Sequence, residues 1–220
     1  MLVLGVTGQS GAGKGEFCNL FRKKGIACLD TDKTAREVVM PGTECLSELV
    51  AHFGKDILCE DGTMDRKKVA SIVFSDKNEL EFLTATTHKY IIEKMKMWLF
   101  EREMCADKMV IIDAPQLFDA GADLYCNFKL CVLADKNIRI KRIMDRDGLS
   151  LEAANARVES QNDDTFFKER CDFVVYNNGD IAKLEKNADK IYNELMAKKE
   201  YFDDEDEPLF FGSERLFKNK

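Results

Sequence analysis

A glycine-rich segment near the start of the sequence has the residue types and spacing of a phosphate-binding loop. It reads GVTGQSGAGKGEF, and Gly8, Gly13 and Lys14 fit the pattern G-x-x-x-x-G-K-[S/T]. The backbone N–H groups of residues 10–15 can surround phosphate oxygens, and Lys14 can reach the β- and γ-phosphates. The pattern fails at Gly15, where a hydroxyl that binds Mg²⁺ is expected. Two interpretations are open at this point: a working site with an altered metal shell, or the relic of one.

The residues around this loop predict a β-α-β unit. The run MLVLGV is short and apolar and is followed by glycines, which is typical of a buried strand. The next stretch carries Phe17, Leu20 and Phe21 at helical spacing and stops at Gly25. The run IACLD predicts a second strand that ends at Asp30. A strand, a glycine-rich turn, a helix and another strand in this order favour a parallel sheet.

The rest of the sequence continues this alternation of strands and helices. Three further strands are predicted, at residues 109–113, 128–134 and 171–176. Helices are predicted within residues 32–108, 137–161 and 180–199, and Gly148 breaks the second of these segments. The expected fold is therefore α/β, with a five-stranded parallel sheet and two helical insertions.

Composition narrows the classes of protein and of partner. The chain has 220 residues, 45% of them hydrophobic, and a net charge of −7, which are values of a globular protein. With this charge, nonspecific binding to nucleic acid or to an acidic membrane is not expected. The opening run lacks a basic segment and breaks at Gly5, so it does not read as a signal peptide. No apolar stretch approaches the roughly 20 residues of a membrane span.

The cysteines and the C-terminal segment favour simple interpretations. The eight cysteines form no C-x-x-C pair and only two histidines accompany them, so free thiols, mostly buried, in a reducing cytoplasm are favoured over metal ligands or disulfides. Five consecutive acids, residues 203–207, predict a solvated or disordered tail. Its later apolar residues could dock on this chain or on a partner, and the first is favoured. The sequence carries no signal for the oligomeric state.

Six motifs in a fixed order resemble the dephospho-CoA kinase family, from residue 1 to about residue 195. They are GVTGQSGAGK, DTDKTAREVVMPGT, DGTMDRKKVASIVFSD, IDAPQLFDAG, RIMDRDGLSLEAANARVESQ and DFVVYNNG. The resemblance implies transfer of the γ-phosphoryl group of ATP to the 3′-hydroxyl of dephospho-CoA. It also implies a three-layer, P-loop NTPase-like fold with a substrate-binding insertion and a lid. The expected divisions are a core of residues 1–31, 108–140 and 171–200, an acceptor-binding insertion of 32–107, a lid of 141–170 and a tail of 201–220.

The resemblance gives catalytic roles to Asp32, Lys14 and Arg142. Asp32 follows the second strand and is the expected base for the 3′-hydroxyl, although an aspartate there could instead cap a helix. Arg36 lies one turn further on and either contacts the substrate or forms a surface salt bridge. Arg142 and Arg146 are four residues apart in a basic helix, so both could face the triphosphate or form part of a solvated face. The other cations of this basic cluster are Arg139 and Lys141.

Two sets of binding residues follow from these motifs. The expected ATP contacts are Gly8, Ser10, Gly11, Ala12, Gly13, Lys14, Gly15, Glu16, Arg146, Arg157, Asn177 and Gly179. The expected acceptor contacts are Thr7, Asp32, Arg36, His88 and Asp113, and for His88 a packing role is equally open. Asp113 also holds the position at the end of the third strand where a carboxylate can bind a Mg²⁺-bound water.

The sequence departs from the family pattern most clearly at Gly15 and Glu16, which replace a Ser-Thr pair. Mg²⁺ commonly keeps several waters, so ATP phosphates and waters could hold it without a direct protein ligand. Asp32, Asp113 or Glu16 could then act through water, and for Glu16 a solvent-facing position is equally open. We therefore favour an altered metal shell. The alternatives are another kinase, such as one acting on nucleoside monophosphates, and an ATP-binding regulator without catalysis.

Overall fold

The computed structural model describes residues 1–204, and a five-stranded parallel sheet lies at its centre. The strand order is β2-β3-β1-β4-β5, and the strands are β1 (Leu2–Gly8), β2 (Ala27–Asp30), β3 (Met109–Asp113), β4 (Phe128–Leu133) and β5 (Phe173–Tyr176). β1 pairs in parallel with both β3 and β4. The predicted five-stranded parallel sheet is confirmed.

Helices account for most of the remaining chain. They are α1 (Lys14–Lys23), α2 (Thr31–Glu37), α3 (Glu44–Phe53), α4 (Arg66–Val73), α5 (Lys77–Met104), α6 (Lys136–Asp147), α7 (Leu151–Glu159), α8 (Asp164–Lys168) and α9 (Ile181–Asp204). Short 3₁₀ turns cover Lys55–Ile57 and Ala122–Tyr125. Within residues 1–204, no helix is both long enough and apolar enough to cross a membrane.

The core of the sheet explains why the first strand reads as a continuous apolar run. Every residue of β1 is buried, because a parallel sheet carries helices on both faces. On one face, Phe17 and Phe21 of α1 pack on it with no exposed surface, and Leu184 and Leu195 of α9 complete the same cluster. The spacing of the apolar residues in α1 thus fixes α1 against β1, which places the intervening loop at the carboxyl edge of the sheet.

Helices α6 and α7 form a hairpin whose bend was predicted from one glycine. Gly148 ends α6 with a left-handed φ of 65°, and the hydroxyl of Ser150 begins α7 by accepting the N–H of Ala153 at 3.2 Å. Ile143 and Val158 lie in the small apolar cluster that joins the two helices. The hairpin therefore has a packed interior of its own.

The chain divides into two compact units. One consists of residues 1–29 together with the described residues from Arg102 onward, and the other of Asp30–Glu101. The second unit contains α2 to α5, and Leu49, Ile57 and Val69 lie in its own buried cluster. The side chains of Asp30, Thr43 and Asp65 cap the N-termini of α2, α3 and α4 by accepting backbone N–H groups.

Several local features differ from the sequence-based expectation. α8 was not predicted, because its five residues are too short for an apolar period to show. All eight cysteines are free, but only Cys18, Cys45, Cys126 and Cys131 are buried. The closing helix continues to Asp204, into the start of the acidic run, and the rest of the predicted tail lies outside the described residues.

Candidate active site

The glycine-rich loop joins β1 to α1, as its pattern predicts, and two of its glycines have no possible replacement. Gly11 has a φ of 79°, and a Cβ there would lie 2.6 Å from the carbonyl oxygen of Arg139. Gly13 has a φ of 94°, begins α1, and would overlap the amide nitrogen of Asn177 if it carried a Cβ. Left-handed backbone and lack of space together require glycine at both positions.

Lys14 and Asp113 form an ion pair at the foot of this loop. The Nζ of Lys14 contacts Oδ1 of Asp113, which is only 4% exposed at the end of β3. Arg22 approaches the other carboxylate oxygen, with Nη2 at 3.7 Å from Oδ2. Burial and the charge of Asp113 raise the pKa of the Cys18 thiol well above its ordinary value. The lysine and the aspartate predicted from separate motifs thus meet in one place.

Arg142 and Asn177 hold the backbone of the loop. Nη1 of Arg142 donates to the carbonyl oxygens of Gly11 and Ala12, both at 3.3 Å. Nδ2 of Asn177 donates to the same Ala12 oxygen at 2.8 Å. Because the C=O and N–H of a peptide group point in opposite directions, these contacts direct the N–H of Gly13 to the other side of the loop. Arg142, predicted as catalytic, and Asn177, predicted to bind ATP, therefore both contact the loop itself in this structure.

Arg146 and Arg157 lie in a different cluster, around Asp147. Arg146 donates to the two oxygens of Asp147 at 2.7 and 2.8 Å, and Arg157 donates to one of them at 2.8 Å. The hydrogen bond between Arg146 and Asp147 raises the pKa of the former and lowers that of the latter. The four-residue spacing led us to expect Arg142 and Arg146 on one face. In the structure their contacts differ: Arg142 donates to the loop, whereas Arg146 donates to the carboxylate of Asp147, the next residue in the chain.

Thr7 and Gly179, two further predicted binding residues, differ in exposure. The Thr7 side chain is fully buried, and its hydroxyl donates to the carbonyl oxygen of Pro115 at 3.0 Å. It holds the end of β1 against the segment after β3, and the substrate contact expected of Thr7 stays a prediction. Gly179 is exposed in the turn that follows Asn177.

Gly15 and Glu16 lie in the first turn of α1 and are both exposed. A Cβ on Gly15 would meet no heavy atom within 4 Å, so backbone crowding is not the reason for a glycine there. Among the described residues, no three or more His, Cys, Asp or Glu side chains are grouped so that they could hold a metal ion.

The second unit carries the three remaining predicted residues. Asp30, and not Asp32, caps α2, because its carboxylate accepts the N–H of Lys33 at 3.0 Å. The alternative explanation of Asp32 as a helix cap is therefore wrong, and its carboxylate is exposed in the first turn. Arg36 is exposed in the last turn of α2, and His88 is half-buried in α5.

Two residues outside the predicted site contact the loop: Arg139, predicted only as one of the cations of the basic helix, and Gln161, which ends the motif RIMDRDGLSLEAANARVESQ but had no predicted role. Arg139 is 5% exposed, and its Nε donates to the carbonyl oxygen of Ser10 at 3.0 Å. The side-chain oxygen of Gln161 accepts the N–H of Ser10 at 2.9 Å. Arg139 and Arg142 are three residues apart and so lie on one helical face. This spacing was the signal that could have predicted contact of both arginines with the loop.

Sheet order, loop and ion pair together define a class. The first strand of the parallel sheet leads through a glycine-rich loop into a helix, and Lys14 after the loop pairs with Asp113 on the neighbouring strand. These features define a P-loop NTPase-like fold. Comparison with known proteins narrows the class. Residues 2–183 match the family model described as dephospho-CoA kinase. The chain belongs to the dephospho-CoA kinase family.

Individual relatives agree with this assignment. The chain is 38% identical over 188 residues to a dephospho-CoA kinase of Listeria innocua, covering 84% of this chain and 92% of the relative. A crystal structure from Thermus thermophilus is similar with a TM-score of 0.73 at 28% identity, over 88% of this chain and 97% of the other. A dephospho-CoA kinase structure from Campylobacter jejuni is similar with a TM-score of 0.65 at 27% identity, over 88% and 96%.

Proposed function

We propose that this protein transfers the γ-phosphoryl group of ATP to the 3′-hydroxyl of dephospho-CoA, which gives coenzyme A. One observation carries the proposal: the loop lysine and the strand-end aspartate meet beside the phosphate-binding loop in a chain that matches the dephospho-CoA kinase family over residues 2–183. The phosphoryl-transfer step requires a phosphate cradle, positive charge at the transferring group and a carboxylate near the attacking hydroxyl.

The first two requirements are assigned to the unit that contains the sheet. Backbone N–H groups of the loop, including that of Gly13, bind the phosphates, and Lys14 neutralises them once it leaves Asp113 for the nucleotide. Arg142 has a guanidinium already beside the loop and stabilises the transferring group. Arg146 and Arg157 reach ATP only if they exchange Asp147 for phosphate oxygens.

The third requirement is assigned to the helical unit, which we propose as the acceptor-binding unit. Asp32 serves as the base, supported by the finding that its carboxylate is exposed and not used as a helix cap. Arg36, one turn further along α2, is proposed to bind the acceptor, and His88 remains a candidate for the same role. The proposal thus assigns nucleotide binding to one unit and acceptor binding to the other.

Mg²⁺ is proposed to bind through ATP phosphates and water, with carboxylates in the outer sphere. The candidates are Asp113, beside Lys14, Glu16, in the first turn of α1, and Asp32, in the first turn of α2, because Mg²⁺ commonly keeps several waters that carboxylates can bind. The ion would supply positive charge on the transferring phosphoryl group. The free state of all eight cysteines supports the cytoplasm as the location of the enzyme.

The proposal is tested by incubating the protein with ATP, Mg²⁺ and dephospho-CoA and measuring coenzyme A and ADP by mass spectrometry. We expect one coenzyme A for each ADP, and no product from the Lys14→Met variant. Fragmentation of the product locates the new phosphate on the ribose. Product from nucleoside monophosphates instead would indicate a different kinase, and ATP binding without any product would indicate a regulator.

A further inference from the structure

A closed set of three hydrogen bonds lies behind the phosphate-binding loop. Nε of Arg139 donates to the carbonyl oxygen of Ser10 at 3.0 Å, and Nη2 of Arg139 donates to Oε1 of Gln161 at 2.7 Å. The same Oε1 accepts the N–H of Ser10 at 2.9 Å. Both backbone polar groups of Ser10 are therefore held by side chains that lie more than a hundred positions away in the sequence.

Neighbouring contacts attach the loop to α6 and to the segment that follows α7. The side-chain nitrogen of Gln9 donates to the carbonyl oxygen of Asn162 at 3.1 Å, directly after Gln161. The backbone of Arg139 lies against Gly11, where a Cβ would come within 2.6 Å of the Arg139 carbonyl oxygen. The start of α6 and the segment after α7 thus meet on residues 9–11 of the loop.

The Arg139 side chain is an unusual buried cation. It is 5% exposed, and burial lowers its pKa, yet an arginine stays charged in a protein. Among the described residues, its side-chain hydrogen bonds go to the neutral oxygens of Ser10 and Gln161, and the charge of Asp164 raises its pKa by less than burial lowers it. A buried charge without a bonded counterion is costly for folding alone, and an anion in the loop offsets that cost.

We propose that Arg139 is a positioning residue for nucleotide binding: with the side-chain oxygen of Gln161, it fixes the Ser10 peptide groups and so sets the shape of the phosphate-binding loop. This inference rests on the proposed use of ATP, but not on the identity of the acceptor. Charge-assisted hydrogen bonds are the strong class, and they keep the loop in its binding shape before the nucleotide arrives. Loss of Arg139 therefore weakens ATP binding more than it changes the chemical step.

The test compares ATP affinity in four variants of the full chain, measured by titration calorimetry with Mg²⁺ present. Arg139→Met keeps length and packing but removes both donors, and we expect the Kd for ATP to rise about tenfold or more. Arg139→Lys keeps the charge with a single donor group, and Gln161→Leu removes the shared acceptor. Both should give intermediate losses, about threefold to tenfold. Lys136→Met is the control, because it removes an exposed cation one turn earlier in α6.

Kinetics provide a second readout that a purely structural role would not produce. In Arg139→Met we expect the KM for ATP to rise with the Kd, while kcat at saturating ATP and the KM for dephospho-CoA stay within about threefold of the parent. Lys136→Met should bind ATP within about twofold of the parent, as expected for an exposed ion pair.

Three results in the variants, and one in the parent, would overturn the inference. One is an Arg139→Met variant that is less stable to heat but binds ATP like the parent. Another is an Arg139→Lys variant that equals the parent, since charge alone would then suffice. If Arg139→Met does not fold, unchanged ATP binding in Gln161→Leu decides against the proposal. A parent that binds ATP but does not phosphorylate dephospho-CoA overturns only the proposed reaction, whereas a parent without ATP binding overturns both.

Discussion

Restoring a hydroxyl at Gly15 should leave the loop intact and reduce the Mg²⁺ that the enzyme requires. Gly15 is exposed in the first turn of α1, is not among the glycines with positive φ, and has room for a Cβ with no heavy atom within 4 Å. The Gly15→Ser variant should therefore fold and bind ATP. This position contrasts with Gly11 and Gly13, where the structure leaves no room.

The expected gain in stability is small. Glycine costs about 1 kcal/mol relative to alanine within a helix and serine about half of that, so Gly15→Ser gains about 0.5 kcal/mol at most. For a chain of this size, such a gain raises the melting temperature by about 1–2 °C. Gly15→Ala should gain up to about twice as much by the same reasoning.

The expected effect on Mg²⁺ is larger and depends on the hydroxyl alone. If the ion is held by phosphates and waters, serine can replace one water with a direct ligand. If the contact of the serine hydroxyl adds a net binding free energy of about 0.5–1.5 kcal/mol, the Mg²⁺ concentration for half-maximal rate falls about two- to tenfold. Gly15→Ala also adds a Cβ to the helix but no ligand for the ion, so it should keep the Mg²⁺ requirement of the parent.

The assay is a Mg²⁺ titration of the rate of coenzyme A formation at saturating ATP, for the parent and both variants. Calorimetry of ATP binding is run alongside it. A serine variant that needs as much Mg²⁺ as the alanine variant would refute the water-mediated arrangement. Loss of ATP affinity in both variants would show that the loop needs glycine at this position when ATP is bound.

The remaining predictions concern the acceptor base, an arginine and a glycine of the site. Asp32→Asn should lower turnover about 100-fold or more, the range of general base catalysis, while ATP affinity measured by calorimetry is unchanged; near-normal turnover would assign the base to another residue. Arg142→Lys keeps the charge but loses the planar donor group, so kcat should fall much more than the melting temperature, and an unchanged kcat would contradict a role at the transferring group. Gly11→Ala should lose ATP binding and be less stable than Gly25→Ala by about 1 kcal/mol or more in denaturant unfolding, because both glycines have positive φ but only Gly11 meets backbone atoms. Equal losses in the two alanine variants would show that the close approach of Arg139 has no cost.

Local patterns in the sequence determined the fold class and the loop. Strands and helices differ in apolar period, so the alternation that leads to a parallel sheet can be predicted without tertiary contacts. The spacing of Gly8, Gly13 and Lys14 is likewise a local property, because a single turn between β1 and α1 forms the phosphate cradle. The six family motifs then indicated the proposed reaction, which the spacing of apolar residues does not predict.

The tertiary structure decided which polar groups meet. Arg139 and Gln161 contact Ser10 across sequence separations of 129 and 151 residues, and such contacts arise only when the sheet and the hairpin have packed. Arg146 shows the same limit, because its four-residue spacing from Arg142 fixes a helical face but not the carboxylate that its guanidinium selects. The 3.6-residue period of a helix predicts the face on which a side chain lies, but not which atoms it contacts. A hydrogen bond requires its atoms within a few tenths of an ångström, and only the packing of the whole chain sets positions that closely.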